Sequence, residues 1–133
     1  MILKEAKEDE LLQQGVVYFA PYNRHLGIKN ISKGMYKIVL SDGDKVSNHK
    51  LSIDVLFESL AKEVKNYSHA FILSGMGNDG VNGIANVKKV SGKTYAQDEQ
   101  SSDVYGMSKI AINNSSINHI FPAHELAQCI NGI

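Results

Sequence analysis

From residue 69 onward the hydrophobic rhythm of this sequence switches back and forth, and that switching restricts the fold more than any other feature. Residues 69–73 (His-Ala-Phe-Ile-Leu) are an apolar run of strand length. Residues 74–80 form a glycine-rich turn, and residues 81–90 read as a short helix with Ile84 and Val87 facing inward. A second strand covers 93–97, and the polar loop 98–103 leads into a helical stretch over 107–112. A last strand at 118–121 precedes a last helix at 123–131, which Gly132 ends. Strands alternating with helices imply a parallel sheet with helices on its faces. Ligand sites in such sheets lie beyond the C-terminal ends of the strands, and the turn 74–80 sits at one of those ends.

The first half reads differently. Residues 16–20 (Val-Val-Tyr-Phe-Ala) are β-rich and stopped by Pro21. Residues 25–31 and 35–40 flank Ser32-Lys33-Gly34 and predict an antiparallel β-hairpin, closed off by residues 41–44. Ser52 then starts the clearest helix, in which Ile53, Leu56, Phe57, Leu60, Ala61 and Val64 recur at three- and four-residue spacing. Ser52 suits its cap, and Asp54 suits its positive end. The expected fold is therefore α/β, a three-layer parallel-sheet arrangement with an early antiparallel β-hairpin.

Composition narrows the function classes. With 133 residues one compact domain is expected, and 14 Lys plus Arg balance 14 Asp plus Glu. That neutrality gives no basic face for nucleic acid or an anionic membrane. No segment reads as a signal peptide or a membrane span, so no membrane insertion is expected. The single cysteine, Cys129, cannot form an internal disulfide and fits a cytoplasmic setting as a small apolar residue on the last helix. The five histidines (His25, His49, His69, His119 and His124) are scattered without metal spacing, read mostly as surface or helix-end groups, and no metal or cofactor is expected.

The glycine loop Gly75-Met76-Gly77-Asn78-Asp79-Gly80 admits three readings. It formally matches the G-x-G-x-x-G fingerprint of a dinucleotide-binding module, with Asp98 just past the next strand. Asp79 opposes that reading, because it would put a carboxylate where a pyrophosphate must bind. The second reading is a structural turn in which glycines permit positive φ and Asp79 caps the following helix. In the third, Asp79 orients a catalytic histidine and the Met76 N–H faces a developing oxyanion. Pattern alone does not choose between the last two.

Four separated blocks, in order, resemble one family. Residues 15–21 with His25 and Leu26 resemble the G-x-x-Y-x-A-P-x-x-x-H-L segment of bacterial chemotaxis protein-glutamate methylesterases. Residues 49–59, beginning His49-Lys50-Leu51-Ser52, resemble H-R-P-S-V-D-x-L-F-x-S. Residues 73–83 resemble L-T-G-M-G-x-D-G-x-x-G. Residues 92–102, then Tyr105-Gly106-Met107, resemble G-x-T-x-A-Q-D-E-x-S-S followed by G-M-P.

The resemblance implies hydrolysis of glutamate γ-methyl esters on the cytoplasmic helices of methyl-accepting chemoreceptors, and in some members glutamine deamidation. It implies that Asp79 is the aspartate of a serine, histidine and aspartate triad. Met76, with Gly75 and Gly77, would form the active-site loop, and His25 and His49 would line the cleft. The family's G-x-S-T-G-G serine turn and its histidine have no counterpart here; they would precede the match to residues 3–15. The expected assignment is thus residues 1–133 as part of a methylesterase catalytic domain, incomplete at its N-terminus and without a receiver domain. Such a chain alone is expected to be inactive and to self-associate or be complemented by the N-terminal segment. The alternative is a non-catalytic piece that binds a partner protein. Leu51 and Ser108 stand where the family pattern has proline, and Ser74 where it has threonine. Ser101 and Ser102 read as solvated loop hydroxyls.

Overall fold

A computed structural model of the chain describes residues 2–42 and 52–133. His49, Lys50 and Leu51 of the second block, and the second half of the turn predicted at 41–44, lie outside the described residues.

The expected alternation is present. Strand β5 (His69–Ile72) leads through the glycine turn to helix α2 (Val81–Lys89) and strand β6 (Lys93–Gln97). Helix α3 (Gly106–Asn113) leads to strand β7 (His119–Phe121), and a 3-10 turn (Ala123–Glu125) precedes helix α4 (Leu126–Asn131). The three strands are parallel in the order β5-β6-β7, with Phe71 opposite Tyr95 and Tyr95 opposite His119. Side-chain alternation along each strand splits the residues between two faces. Ala70 and Ile72 face a core built with Phe57, Ala61, Val81, Ile84, Val87, Met107 and Ala111. His69, Phe71 and Tyr95 share the opposite face, where Phe71 and Tyr95 stack at 4.1 Å and His69 Nδ1 lies 2.9 Å from the Tyr95 hydroxyl. His69 is therefore a partnered strand residue, not a surface histidine.

In the first half, strand β2 (Val16–Phe19) pairs in parallel with β1 (Ile2–Glu5). Strands β3 (Arg24–Ser32) and β4 (Met35–Asp42) form the expected hairpin, with a register shift between Asn30 and Ser32. A second, small core of Ala6, Ile38 and Leu40 with Leu12, Tyr18 and Leu26 joins the hairpin to the N-terminal segment.

The predicted helix over 53–64 is only partly α. Helix α1 (Ile53–Ser59) passes into a π-helical turn (Leu60–Val64) and a 3-10 turn (Lys65–Tyr67), with Lys65 at φ 59°. The hairpin lies against this junction: the Ser59 hydroxyl accepts from the Ile28 N–H at 2.9 Å and the Glu63 carboxylate from the Asn30 N–H at 3.1 Å. Those contacts draw one side of the helix toward β3, where the apolar spacing alone would continue an α-helix. Among the described residues no helix is long and apolar enough to cross a membrane.

Candidate active site

The C-terminal ends of β5 and β6 are held together by side chains that complete each other's hydrogen bonds. Ser74, just past β5, donates its N–H to Gln97 Oε1 at 2.9 Å. Its hydroxyl donates to the Val104 carbonyl at 3.2 Å and accepts the Val104 N–H at 2.9 Å. That double use makes Ser74 a loop bracket, not a nucleophile. Gln97, buried at the end of β6, spends its amide group on the Ser101 carbonyl at 2.8 Å and the Ser101 hydroxyl at 3.2 Å.

The Ser101 hydroxyl donates to Asp98 Oδ1 at 2.5 Å and accepts from the Ala123 N–H at 2.9 Å, while Ser102 donates to the Asp98 carbonyl at 2.5 Å. Ser101 and Ser102 are therefore structural groups and not solvated hydroxyls; the tight turn after Asp98 turns both back onto it. The Ser101 hydroxyl, with its N–H, holds the Asp98 carboxyl below the usual carboxylate range. Asp98 is thus committed to its own loop and is not presented to a ribose.

The glycine loop hangs from this frame. The Gly75 N–H donates to the Val104 carbonyl at 2.9 Å, and the Gly75 carbonyl accepts the Met107 N–H at 3.1 Å. The Met76 N–H has no partner among the described residues, and the Met76 side chain is 82% exposed. Gly77 takes φ +90° in open surroundings, and Gly80, at φ +97°, starts α2 without a side-chain cap.

Asp79 is half-buried and does not cap its own helix as the structural-turn reading expects; it caps α1 instead. Its Oδ1 accepts the Ser52 hydroxyl and the Asp54 N–H, each at 3.1 Å, and its Oδ2 accepts the Ile53 N–H at 2.8 Å. A carboxylate at a helix N-terminus meets orphan amides and the positive end of the helix dipole. The left-handed Gly80 sharpens the turn that precedes α2; a Cβ there would come within 2.9 Å of Ile53 Cγ2, so the loop and the start of α1 touch. His25, buried on β3, joins the same cluster, its Nδ1 accepting the Ser52 N–H at 2.9 Å. His25 and Asp79 thus meet through Ser52, while His49 lies outside the described residues. Next to the cluster, Tyr18, Ala20, Leu26, Ser52, Ile53 and Leu56 line an open, mostly apolar cavity of about 270 Å³.

The sequence marked Ser52 and Asp54 only as local capping residues, and it did not mark Gln97 as a site residue. A buried polar side chain at a strand end, as Gln97 is, needs hydrogen-bond partners, and its burial is visible only in the structure.

Comparison with known proteins gives a consistent result. The model of the CheB methylesterase family matches residues 1–130. A probable protein-glutamate methylesterase of Borreliella burgdorferi is 42% identical over 131 residues, which is 98% of this chain and 35% of that protein. A protein-glutamate methylesterase/protein-glutamine glutaminase of Shewanella oneidensis is 44% identical over 124 residues, covering 93% of this chain and 35% of the relative. The crystal structure of the Thermotoga maritima CheB methylesterase catalytic domain superposes with a TM-score of 0.87 at 32% identity, covering 95% of this chain and 66% of that one. The chain thus spans about a third of the length of the curated relatives it matches.

Proposed function

This chain belongs to the CheB methylesterase family, and from that premise we propose that it supplies the histidine-orienting carboxylate and the oxyanion-facing loop of a protein-glutamate methylesterase. The observation that carries the reading is the state of Asp79. A carboxylate offers about four lone-pair sites. Three are taken by the Ser52 hydroxyl and the Ile53 and Asp54 amides, and among the described residues one, on Oδ2, has no donor. A carboxylate so held is suited to accept an imidazole N–H, fix its tautomer and stabilise its charged form.

The reaction in this reading is acyl transfer. A serine attacks the γ-methyl ester of a receptor glutamate, a histidine takes the serine proton and passes it to the departing methanol, and water releases the glutamate. Asp79 holds the histidine, and the Met76 N–H faces the oxyanion. Glutamine deamidation follows the same steps with ammonia leaving. The 133 residues contain no G-x-S-x-G turn, and in this reading the serine and the histidine come from residues outside them. The substrate proposed is the cytoplasmic helices of methyl-accepting chemoreceptors, and the setting is the cytoplasm. Residues 1–133 form part of the catalytic domain and include no receiver domain.

Methanol release from a methyl-esterified receptor fragment tests this. The 133-residue chain alone is expected to show none above background. In the complete protein containing it, Asp79→Asn is expected to keep the melting temperature and lower kcat about 10⁴-fold, since an amide holds the histidine in the wrong tautomer. Wild-type turnover by a folded D79N protein overturns the reading.

The exposed apolar residues of β1 and β2 favour a partner reading beside it. In the isolated chain these strands associate with a second copy, and when the rest of the domain is present they associate with it instead. Sedimentation at several concentrations is expected to show self-association that the remaining domain segment suppresses. A compact monomer at every concentration rules this out.

A further inference from the structure

Helices α1 and α2 exchange carboxylates. Asp79 belongs to the turn that starts α2, yet it accepts the Ile53 and Asp54 amides at the start of α1. Asp54 belongs to the first turn of α1, yet its Oδ1 accepts the Gly83 N–H in the first turn of α2 at 2.7 Å. A helix cap is ordinarily local, one side chain serving the amides two or three residues on. Here each helix start is served by the carboxylate of the other. The exchange needs the two helix ends nearly in contact, and the lack of side chains permits it. A Cβ on Gly83 would lie 2.6 Å from Phe57 Cβ and 3.0 Å from Asp54 Oδ1.

Capping alone does not account for Ser52. Its hydroxyl oxygen accepts the Val55 N–H at 3.4 Å, which is its contribution to the helix start. Its hydroxyl proton goes to Asp79 Oδ1, a contact that satisfies no orphan amide. What that contact does is fill the second acceptor site of Oδ1 and fix the rotation of the carboxylate. The Ser52 backbone is itself tied, its N–H donated to His25 Nδ1, which leaves the ring proton of neutral His25 on Nε2. From these contacts we infer that Ser52 and Asp54 are positioning residues for Asp79, and that Oδ2 is the oxygen that receives the catalytic imidazole N–H. Ser52 sets the rotation of the carboxylate and Asp54 sets its place, by locking α2 against α1 through Gly83. The inference rests on the reading of Asp79 as the histidine-orienting group.

Two measurements test it. The first uses the 133-residue chain and no activity. Amide hydrogen exchange is followed at Ile53, Asp54 and Gly83. Asp54→Ala is expected to raise exchange at Gly83, which loses its acceptor, and also at Ile53 and Asp54, whose acceptor Asp79 remains. Faster exchange at Gly83 alone means the two caps are independent and overturns the role of Asp54.

The second measures methanol release by the complete protein. Ser52→Ala and Asp54→Ala are each expected to lower kcat about 10-fold to 100-fold with KM for the receptor fragment unchanged, as for a displaced catalytic group. Ser52→Thr restores the hydroxyl donor, and Asp54→Asn restores an oxygen for Gly83, so both are expected to return kcat to near the wild-type value. A role in stability alone lowers the melting temperature but leaves kcat per folded molecule unchanged and makes the rescue pairs equal. If D79N is inactive while folded S52A and D54A turn over at the wild-type rate, the positioning inference fails and the role of Asp79 stands. If D79N keeps full turnover, the role of Asp79 fails and the inference falls with it.

Discussion

At the strand ends of β5 and β6 the polar groups of Ser74, Gln97, Asp98 and Ser101 complete one another, and the sheet beneath rests on fully buried Ile72, Ile84 and Val87. The parallel pair β1–β2 is built the other way, with Ile2, Leu3, Val17 and Phe19 at 61, 69, 42 and 46% exposure. Parallel strands are normally covered on both faces, and a two-stranded sheet is marginal by itself. The inner face of the β5–β7 sheet is therefore packed among the described residues, whereas these four residues of the N-terminal pair stay exposed. Among the described residues its apolar side chains find no such cover.

The comparison breaks most visibly if the two regions respond alike to truncation. Ile84→Ala removes a side chain with no exposed surface and is expected to cost about 2–5 kcal/mol in urea unfolding of the chain. Leu3→Ala, on the exposed pair, is expected to fall within about 0.5 kcal/mol of wild type. Equal losses would mean that β1 is part of the cooperative core.

A smaller effect separates the two uses of glycine. Gly83→Ala puts a methyl group 2.6 Å from Phe57 Cβ, so α1 and α2 must part, at a cost of about 1–3 kcal/mol. Gly106→Ala meets nothing nearer than 3.8 Å at the start of α3 and is expected to be neutral or to stabilise by up to about 1 kcal/mol. Thermal melts of both variants check this, and a stable G83A chain would show that the helix contact is slack.

The parts that the sequence made legible are those set by local pattern. The βαβ alternation after residue 68, the hairpin across Ser32-Lys33-Gly34 and the start of α1 at Ser52 all appear where spacing and turn residues put them. Strand β1 carries no such signal, because Lys4 and Glu5 interrupt its apolar run and only its pairing with β2 makes it a strand. The change from α- to π-helix at Leu60 is likewise set by contacts with β3 far away in sequence. At the candidate site, Asp79, Met76 and His25 were singled out from their blocks, but the direction of the Asp79 carboxylate was not legible. A cap exchanged between two helices depends on how closely they approach, and Gly83 reports that approach only once Phe57 is known to face it.

The smallest expected effect sharpens the contrast electrostatically, since each region holds one carboxylate below its ordinary range. The Lys4 ammonium, by hydrogen bond and charge, does this to Glu10 beside β1. Chiefly the uncharged Ser101 hydroxyl and then its N–H do it to Asp98, with a smaller contribution from His124. For both groups the folded state binds the proton less readily than the unfolded chain. Their stabilisation is therefore fully present above the ordinary values of 4.5 and 3.8, and is lost as pH falls through the lowered folded values. Salt distinguishes them. At about 1 M the screening length is about 3 Å, and an exposed ion pair loses most of its charge attraction, whereas a hydrogen bond from a neutral hydroxyl does not. Urea unfolding of Glu10→Gln and Asp98→Asn across the acid range, at low and high salt, reads the difference. The acid-limb change caused by E10Q is expected to shrink in high salt, and that caused by D98N to persist. If salt removes both, Asp98 draws its shift from His124 and not from Ser101, and the strand-end loop depends on surface charge as much as the β1 region does.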